Sequence, residues 1–214
     1  MKKLSYAAWL SLTILSAARA QTVEIGGVGG YPRWGRTPLG SISAEGATDT
    51  DTRIRGEYTW GGSVTLNTKG YYGFELGYLQ IGTELKTTVR ATVDEQTVTT
   101  VYQDRLKVHM AYLNGVVYLM PKGERWRPFI TGGLQGYEWR TPHIPDWPDG
   151  QTRHWGVNVG GGLKLRLFPH TLVRWDFRDY MGGKPYATSF VESTTFGSGI
   201  LHRLEGTMGF SITF

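Results

Sequence analysis

Apolar and polar residues alternate with a period of two along most of this chain. From 153 to 168, Trp155, Val157, Val159, Leu163, Leu165 and Leu167 share one parity, and His154, Asn158, Gly160, Gly162, Lys164 and Arg166 share the other. Successive side chains of an extended strand point to opposite faces, so this spacing predicts a strand with one apolar face and one polar or small face. Beyond the short corner Phe168-Pro169-His170, Val173, Trp175 and Phe177 oppose Arg174, Asp176 and Arg178. The two runs form a hairpin with a minimal turn. Upstream, Tyr58, Trp60, Val64 and Leu66 stand against Glu57, Thr59, Ser63 and Thr65, and Tyr72, Phe74, Leu76 and Tyr78 against Gly73, Glu75 and Gly77. Asn67-Thr68-Lys69-Gly70 is the turn between them. At the end of the chain Leu204, Met208, Phe210, Ile212 and Phe214 oppose Arg203, Glu205, Thr207, Ser211 and Thr213.

Three further runs complete a set of eight strands. Between Leu106 and Met120 the pattern assigns Val108, Met110, Tyr112, Val116 and Tyr118 to the apolar face and Lys107, His109, Ala111 and Gly115 to the polar one, with Asn114 a misfit among the apolar residues. Residues 22–31 and 128–139 also read as strands, although their glycines blur which face is which and make a bulge plausible in the second. The connections alternate in length: those around 32–54, 83–104, 141–152 and 182–199 are long, those near Lys69, Lys122 and Pro169 short. An even strand number with alternating long and short links is the arrangement of an outer-membrane barrel, with its short turns and both termini on the periplasmic side.

Alternation does not say which face looks inward. A soluble eight-stranded barrel of the lipocalin kind also alternates, with its apolar side around a ligand. The polar face here carries Glu57, Glu75, Lys107, Lys164, Arg166, Arg174, Asp176, Arg178, Arg203 and Glu205 among Gly, Ser and Thr, a mixture suited to a narrow, self-neutralising interior. Trp60, Tyr118, Trp155, Trp175 and Phe214, near the ends of the apolar faces, suit interfacial girdles. The expectation is therefore an all-β, eight-stranded antiparallel transmembrane β-barrel with lipid on its apolar face. A charged lumen also admits a second reading, a small channel for ions or solutes, but eight strands leave an interior only wide enough for side chains.

Lys2 and Lys3 precede an apolar run from Ala7 to Leu15, and Ala18-Arg19-Ala20 forms a small-x-small site, so residues 1–20 are expected to be a cleavable signal peptide and 21–214 the barrel. That run is too short to span a bilayer, and no later segment approaches the roughly 20 apolar residues a helix needs. There is no cysteine, hence neither a disulfide framework nor a lipidation site. Of the 23 basic residues, Lys2, Lys3 and Arg19 lie in the leader, which leaves 20 against 18 acidic ones, a balance that does not indicate a nucleic-acid partner.

Candidate chemistry is sparse. The five histidines, His109, His143, His154, His170 and His202, have no serine two positions on, the spacing that would set nucleophile and base on one strand face, so no catalytic residue is assigned. Asp49-Thr50-Asp51 lacks the glycine and distal glutamate of a calcium loop, so no metal or other cofactor is expected. In the second long link, two β-forming runs, 87–93 and 97–102, flank Asp94-Glu95-Gln96, so the hairpin is expected to continue above the membrane. Its exposed edge, with Val89, Val93 and Val98, could take up a partner strand. Trp147 and its neighbouring prolines give the third loop a stiff apolar tip.

Taken together, Arg127-Pro128-Phe129 opening a glycine-rich strand, Asn158-Val159-Gly160-Gly161-Gly162-Leu163, Asp176-Phe177-Arg178-Asp179-Tyr180 and the Phe-terminated last strand resemble the small outer-membrane β-barrel family typified by OmpA and OmpX, over essentially all of 21–214. The resemblance implies outer-membrane localisation, lipid as the surrounding partner, and insertion by the barrel-assembly machinery through a terminal aromatic strand bearing Phe210, Ile212 and Phe214. It also implies a structural or interactive role, with a surface protein as partner for the external loops.

Overall fold

The computed structural model describes residues 22–35, 47–68, 70–93, 96–140, 151–183 and 200–214. Their strands are β1 (Thr22–Trp34), β2 (Ala47–Asn67), β3 (Tyr72–Val93), β4 (Gln96–Tyr118), β5 (Trp126–Arg140), β6 (Gln151–Phe168), β7 (Thr171–Gly183) and β8 (Ile200–Thr213). Each pairs antiparallel with the next, and β8 returns to β1, closing an eight-stranded barrel. Closure gives the backbone N–H and C=O groups of the wall partners without water, which a strand in hydrocarbon requires.

The turns explain the ends of the strands. Between β4 and β5 the chain reverses at Gly123, whose φ of 114° is a left-handed conformation that side chains disfavour. Within the wall, Gly77 faces its partner Tyr112 across the β3–β4 ladder, and a Cβ there would lie 2.2 Å from the tyrosine ring. The missing side chain makes room for the ring inside the barrel.

Strand length divides the wall. β2, β3 and β4 have 21, 22 and 23 residues, whereas β1 and β7 have 13 each. A membrane-crossing strand needs about 9–11. The expected long links at 32–54 and 83–104 are thus partly strand, since β2 begins at Ala47 and β3 and β4 pair as far as Val93 and Gln96. At roughly 3.4 Å per residue, the excess of about ten residues carries a three-stranded sheet some 35 Å, measured along its strands, beyond the shorter strands of the wall.

The faces follow the alternation over the half of the barrel nearer the short turns. Leu76, Phe74, Leu134, Val159, Phe177 and Phe210 are all more than half exposed on the outside, while Glu75, Lys164 and Arg174 are buried inside. β4 corrects the expectation. Val108, Met110, Tyr112, Val116 and Tyr118 are buried in the interior, and Leu113, Val117 and Leu119 form the outward apolar stripe. Lys107 is exposed on the outer wall and does not belong to the interior charges, and Tyr118 is no girdle residue. Asn114, the misfit, pairs in register with Glu75 and sits inside with the polar groups.

Toward the long loops the polarity inverts. On β3 the apolar parity changes after Tyr78, from outward Phe74, Leu76 and Tyr78 to inward Leu79, Ile81 and Leu85, while Gln80, Glu84 and Lys86 take the outside. On three other strands an outward aromatic or apolar residue likewise gives way to a polar one: Tyr31 to Arg33 on β1, Trp155 to Arg153 on β6, Phe177 to Asp179 on β7. The upper interior is a hydrophobic core around Leu79, Ile81, Leu85, Val108 and Trp139, against which Trp34 and Ile54 pack. An exterior that turns from apolar to charged along every such strand marks where hydrocarbon ends and water begins.

Candidate functional site

The lower interior holds two ion clusters stacked along the barrel axis. In the first, the Glu75 carboxylate accepts from Arg174 Nη2 at 2.9 Å, Arg178 Nη2 at 3.0 Å and the Tyr112 hydroxyl at 3.0 Å. Asp176 accepts from Arg174 Nη2 at 2.8 Å, from Arg174 Nε, and from Arg178 Nη2 at 3.0 Å. Two guanidiniums and two carboxylates thus neutralise one another, and Asn114 extends the cluster by accepting from Arg178 Nη1 at 2.8 Å and donating to Asn158 at 3.1 Å. The strands make this geometry: Arg174, Asp176 and Arg178 share one parity of β7, and Glu75 reaches them from β3.

The second cluster lies nearer the short turns. Glu24 is bound by Lys164 Nζ and by Asn67 Nδ2 at 2.7 Å. Tyr118 donates to Asn67 Oδ1 at 2.5 Å and accepts from Lys164 at 2.8 Å. Aromatic faces complete the packing, with Arg127 3.7 Å above Tyr118 and Arg174 5.0 Å from Phe129. In a low-dielectric interior such charges are tolerable only because each acid has a hydrogen-bonded cation.

Of the expected interior charges, Glu75, Lys164, Arg174, Asp176, Arg178, Arg203 and Glu205 are buried within the barrel. Arg203 and Glu205 sit above the clusters at 3.5 Å from each other, with Thr59 donating to Glu205 at 3.0 Å and Arg203 stacked on Tyr180 at 4.2 Å. Arg166 lies at the short-turn end, half-buried and donating to the Gly123 carbonyl at 3.1 Å. Glu57 falls at the register shift between Gly56 and Tyr58 and pairs with exposed Arg105 at 3.2 Å, so it belongs to the outer rim. Glu24 and Arg127, absent from the expected set, are also buried. The glycines after Glu24 hide the parity of β1, and Arg127 lies one residue outside the strand expected from 128; an isolated acid or base beside a period-two run was the available signal.

Cavities along the axis measure about 20, 10 and 20 Å³. A water molecule needs about 10–15 Å³ on this measure. The interior is filled by its own side chains.

The other feature that can meet a partner is the raised sheet. β4 pairs with β5 only from Val108 upward in number, so among the described residues its stretch from Gln96 to Lys107 has β3 on one side and an open edge on the other. Val98 is 52% exposed and Val101 47%. Val89 is half-buried within the same sheet; Val93 ends β3, and the placement of its side chain, like Trp147 and His143, lies outside the described residues. Phe210, Ile212 and Phe214 project outward from the last strand.

The histidines are dispersed. His109 accepts or donates with Tyr78 at 2.5 Å, His170 with the Thr213 carbonyl at 3.0 Å, and His202 with Asp179 at 2.8 Å. His154 stacks on Tyr137 at 6.0 Å. Among the described residues no cluster of acids and histidines is arranged to hold a metal ion.

The sequence matches the description "outer membrane protein beta-barrel domain" over residues 7–200. A comparison with curated protein sequences finds no match. Solved structures similar to this chain include the N-terminal β-barrel domain of Pseudomonas aeruginosa OprF, at 15% identity and a TM-score of 0.53, covering 90% of this chain and 97% of that one. OprG, an outer membrane protein of the same organism, is 13% identical with a TM-score of 0.54, covering 91% and 96%. Ail, the attachment invasion locus protein of Yersinia pestis, solved with the heparin analogue sucrose octasulfate, is 8% identical with a TM-score of 0.50, covering 91% and 99%. At such identities the likeness is one of fold.

Proposed function

The chain belongs to the outer membrane protein β-barrel family, and from that membership we propose that it is a surface-interaction protein whose working element is the sheet β2–β4 raised above the barrel. It resides in the outer membrane, with lipid around its apolar band. In this reading residues 1–20 are removed on export, 21–214 form the barrel, and the Phe210, Ile212 and Phe214 stripe is what the barrel-assembly machinery takes up.

The observation that carries the reading is the edge of β4 from Gln96 to Lys107, alongside which, among the described residues, no strand is paired on the β5 side. An edge presents a row of free N–H and C=O groups to an extended segment of a partner, and main-chain hydrogen bonds supply the affinity. Val98 and Val101 are exposed for apolar contact. A soluble ligand-binding barrel is inconsistent with the apolar outer band, and the filled lumen disfavours the channel. The test is adhesion of intact bacteria to protein-coated surfaces. Val98→Lys with Val101→Lys places charge along the edge without touching the barrel, and adhesion should fall to the level of cells lacking the protein at equal surface abundance. Unchanged adhesion would remove the edge from consideration.

A further inference from the structure

The recess at the periplasmic mouth of the barrel carries more positive charge than its acids can balance. Of its two carboxylates, Glu24 is already held by Lys164 and Asn67, and Glu124 is exposed on the β4–β5 turn. Lys122 donates to the hydroxyl of Thr22 and Arg166 to the carbonyl of Gly123, both neutral acceptors. Arg127 is the sharpest case. It is 6% exposed, its guanidinium carbon lies 3.7 Å over the centre of the Tyr118 ring, and its Nε and Nη2 are buried with no acceptor among the described residues. The hydroxyl of Thr213, which lines the same recess, is buried and unpartnered too. Across the interior the buried acids Glu24, Glu75, Asp176 and Glu205 each have a basic neighbour in Lys164, Arg174, Arg178 or Arg203, and Arg127 is left over.

A buried arginine whose Nε and Nη2 lack an acceptor, and whose neighbour Glu24 is already bound by Lys164 and Asn67, is costly unless something supplies one. We propose that this recess binds a small oxyanion of the phosphate class, with Arg127 as its principal ligand. The neighbouring Nε–H and Nη2–H of the guanidinium can both donate to one oxygen of such an anion, and Tyr118 holds them in place. Lys122 and Arg125, on the exposed turn that carries Gly123, close over it from outside. The recess measures about 360 Å³ with its open mouth, but it has room for the centre of only about one water-sized group. One oxygen therefore enters toward Arg127 and the rest of the anion stays at the mouth. The phosphate is either free in the periplasm or the headgroup of an inner-leaflet lipid.

Equilibrium dialysis of labelled inorganic phosphate against the refolded protein in non-phosphate detergent micelles tests this. Wild type should bind saturably, and chloride at equal concentration should not compete. Arg127→Gln should weaken binding about ten-fold or more, the factor expected for one hydrogen bond between charged groups, while Arg153→Gln on the opposite rim should leave it unchanged. Should Arg127→Gln fail to fold, Lys122→Ala with Arg125→Ala on the turn leaves the barrel intact and should still weaken binding several-fold. Absence of saturable binding by wild type, equal competition by chloride, or undiminished binding by folded Arg127→Gln overturns the proposal. In nanodiscs, displacement of labelled phosphate on adding phosphatidylglycerol assigns the site to a lipid headgroup, and its retention assigns the site to the free anion.

Discussion

The two halves of this barrel solve the same packing problem in opposite ways. Below Tyr78 on β3 the interior is ionic and the exterior apolar; above it the interior is apolar, around Ile81, Leu85 and Trp139, and the exterior carries Lys86, Lys107 and Arg153. The difference lies in the solvent and not in the wall, which is one continuous closed sheet. Hydrocarbon outside gives no advantage to an apolar core, because lipid is as good an environment for leucine as the lumen is. The lower interior can therefore use ions that satisfy one another, and the upper one, with water outside, regains the hydrophobic effect and uses it. The molecule is a membrane barrel whose upper end, with the sheet that rises from it, is packed as a protein in water is.

That contrast is easiest to break at Glu75, whose carboxylate is shared by Arg174, Arg178 and Tyr112. Glu75→Gln should cost about 3–5 kcal/mol in urea unfolding of the micelle-bound protein, because it leaves a buried cation uncompensated. Replacing the whole cluster (Glu75→Leu, Arg174→Met, Asp176→Leu, Arg178→Met) should be neutral or stabilising by about 1–4 kcal/mol. If the single change were harmless, the lower layer would not be an electrostatically closed unit. In the upper layer, Ile81→Val should cost about 0.5–1.5 kcal/mol, the cost of one methylene in a packed core; a change near zero in the same assay would mean that layer is not packed. The smallest effect is expected outside: Lys107→Glu should move stability by no more than about 0.5 kcal/mol. A loss of several kcal/mol there would put Lys107 back in the lumen.

How far the sequence reads depends on the strand. β6, β7 and β8 alternate cleanly, and their outward and inward sets are as the pattern predicts: Trp155 and Val157 out, Asn158 and Lys164 in, Phe210 and Ile212 out, Arg203 and Glu205 in. β4 misleads because it is apolar on both faces, with Leu113 and Val117 on one and Val108 and Val116 on the other. The most hydrophobic parity was not the lipid-facing one, since its upper members, Val108 and Met110, belong to the water-soluble core. Asn114 was the clue, an amide that no lipid-facing stripe accommodates. The phosphate recess was less legible still. Arg127 and the turn residue Lys122 lie far along the chain from Thr22 and Thr213, and only closure of the barrel brings them to one mouth.

The period-two pattern, read with the lengths of its interruptions and with the charges gathered on its polar face, determined that this chain makes eight antiparallel strands, that the sheet closes, and that its apolar band faces lipid. It could do so because side-chain direction in a strand is a local property of the backbone. Which face of β4 is inside, where the polarity inverts, and which charges find partners were decided only in three dimensions. Those depend on register, as in the pairing of Asn114 with Glu75, and a register is a relation between strands that no single strand encodes.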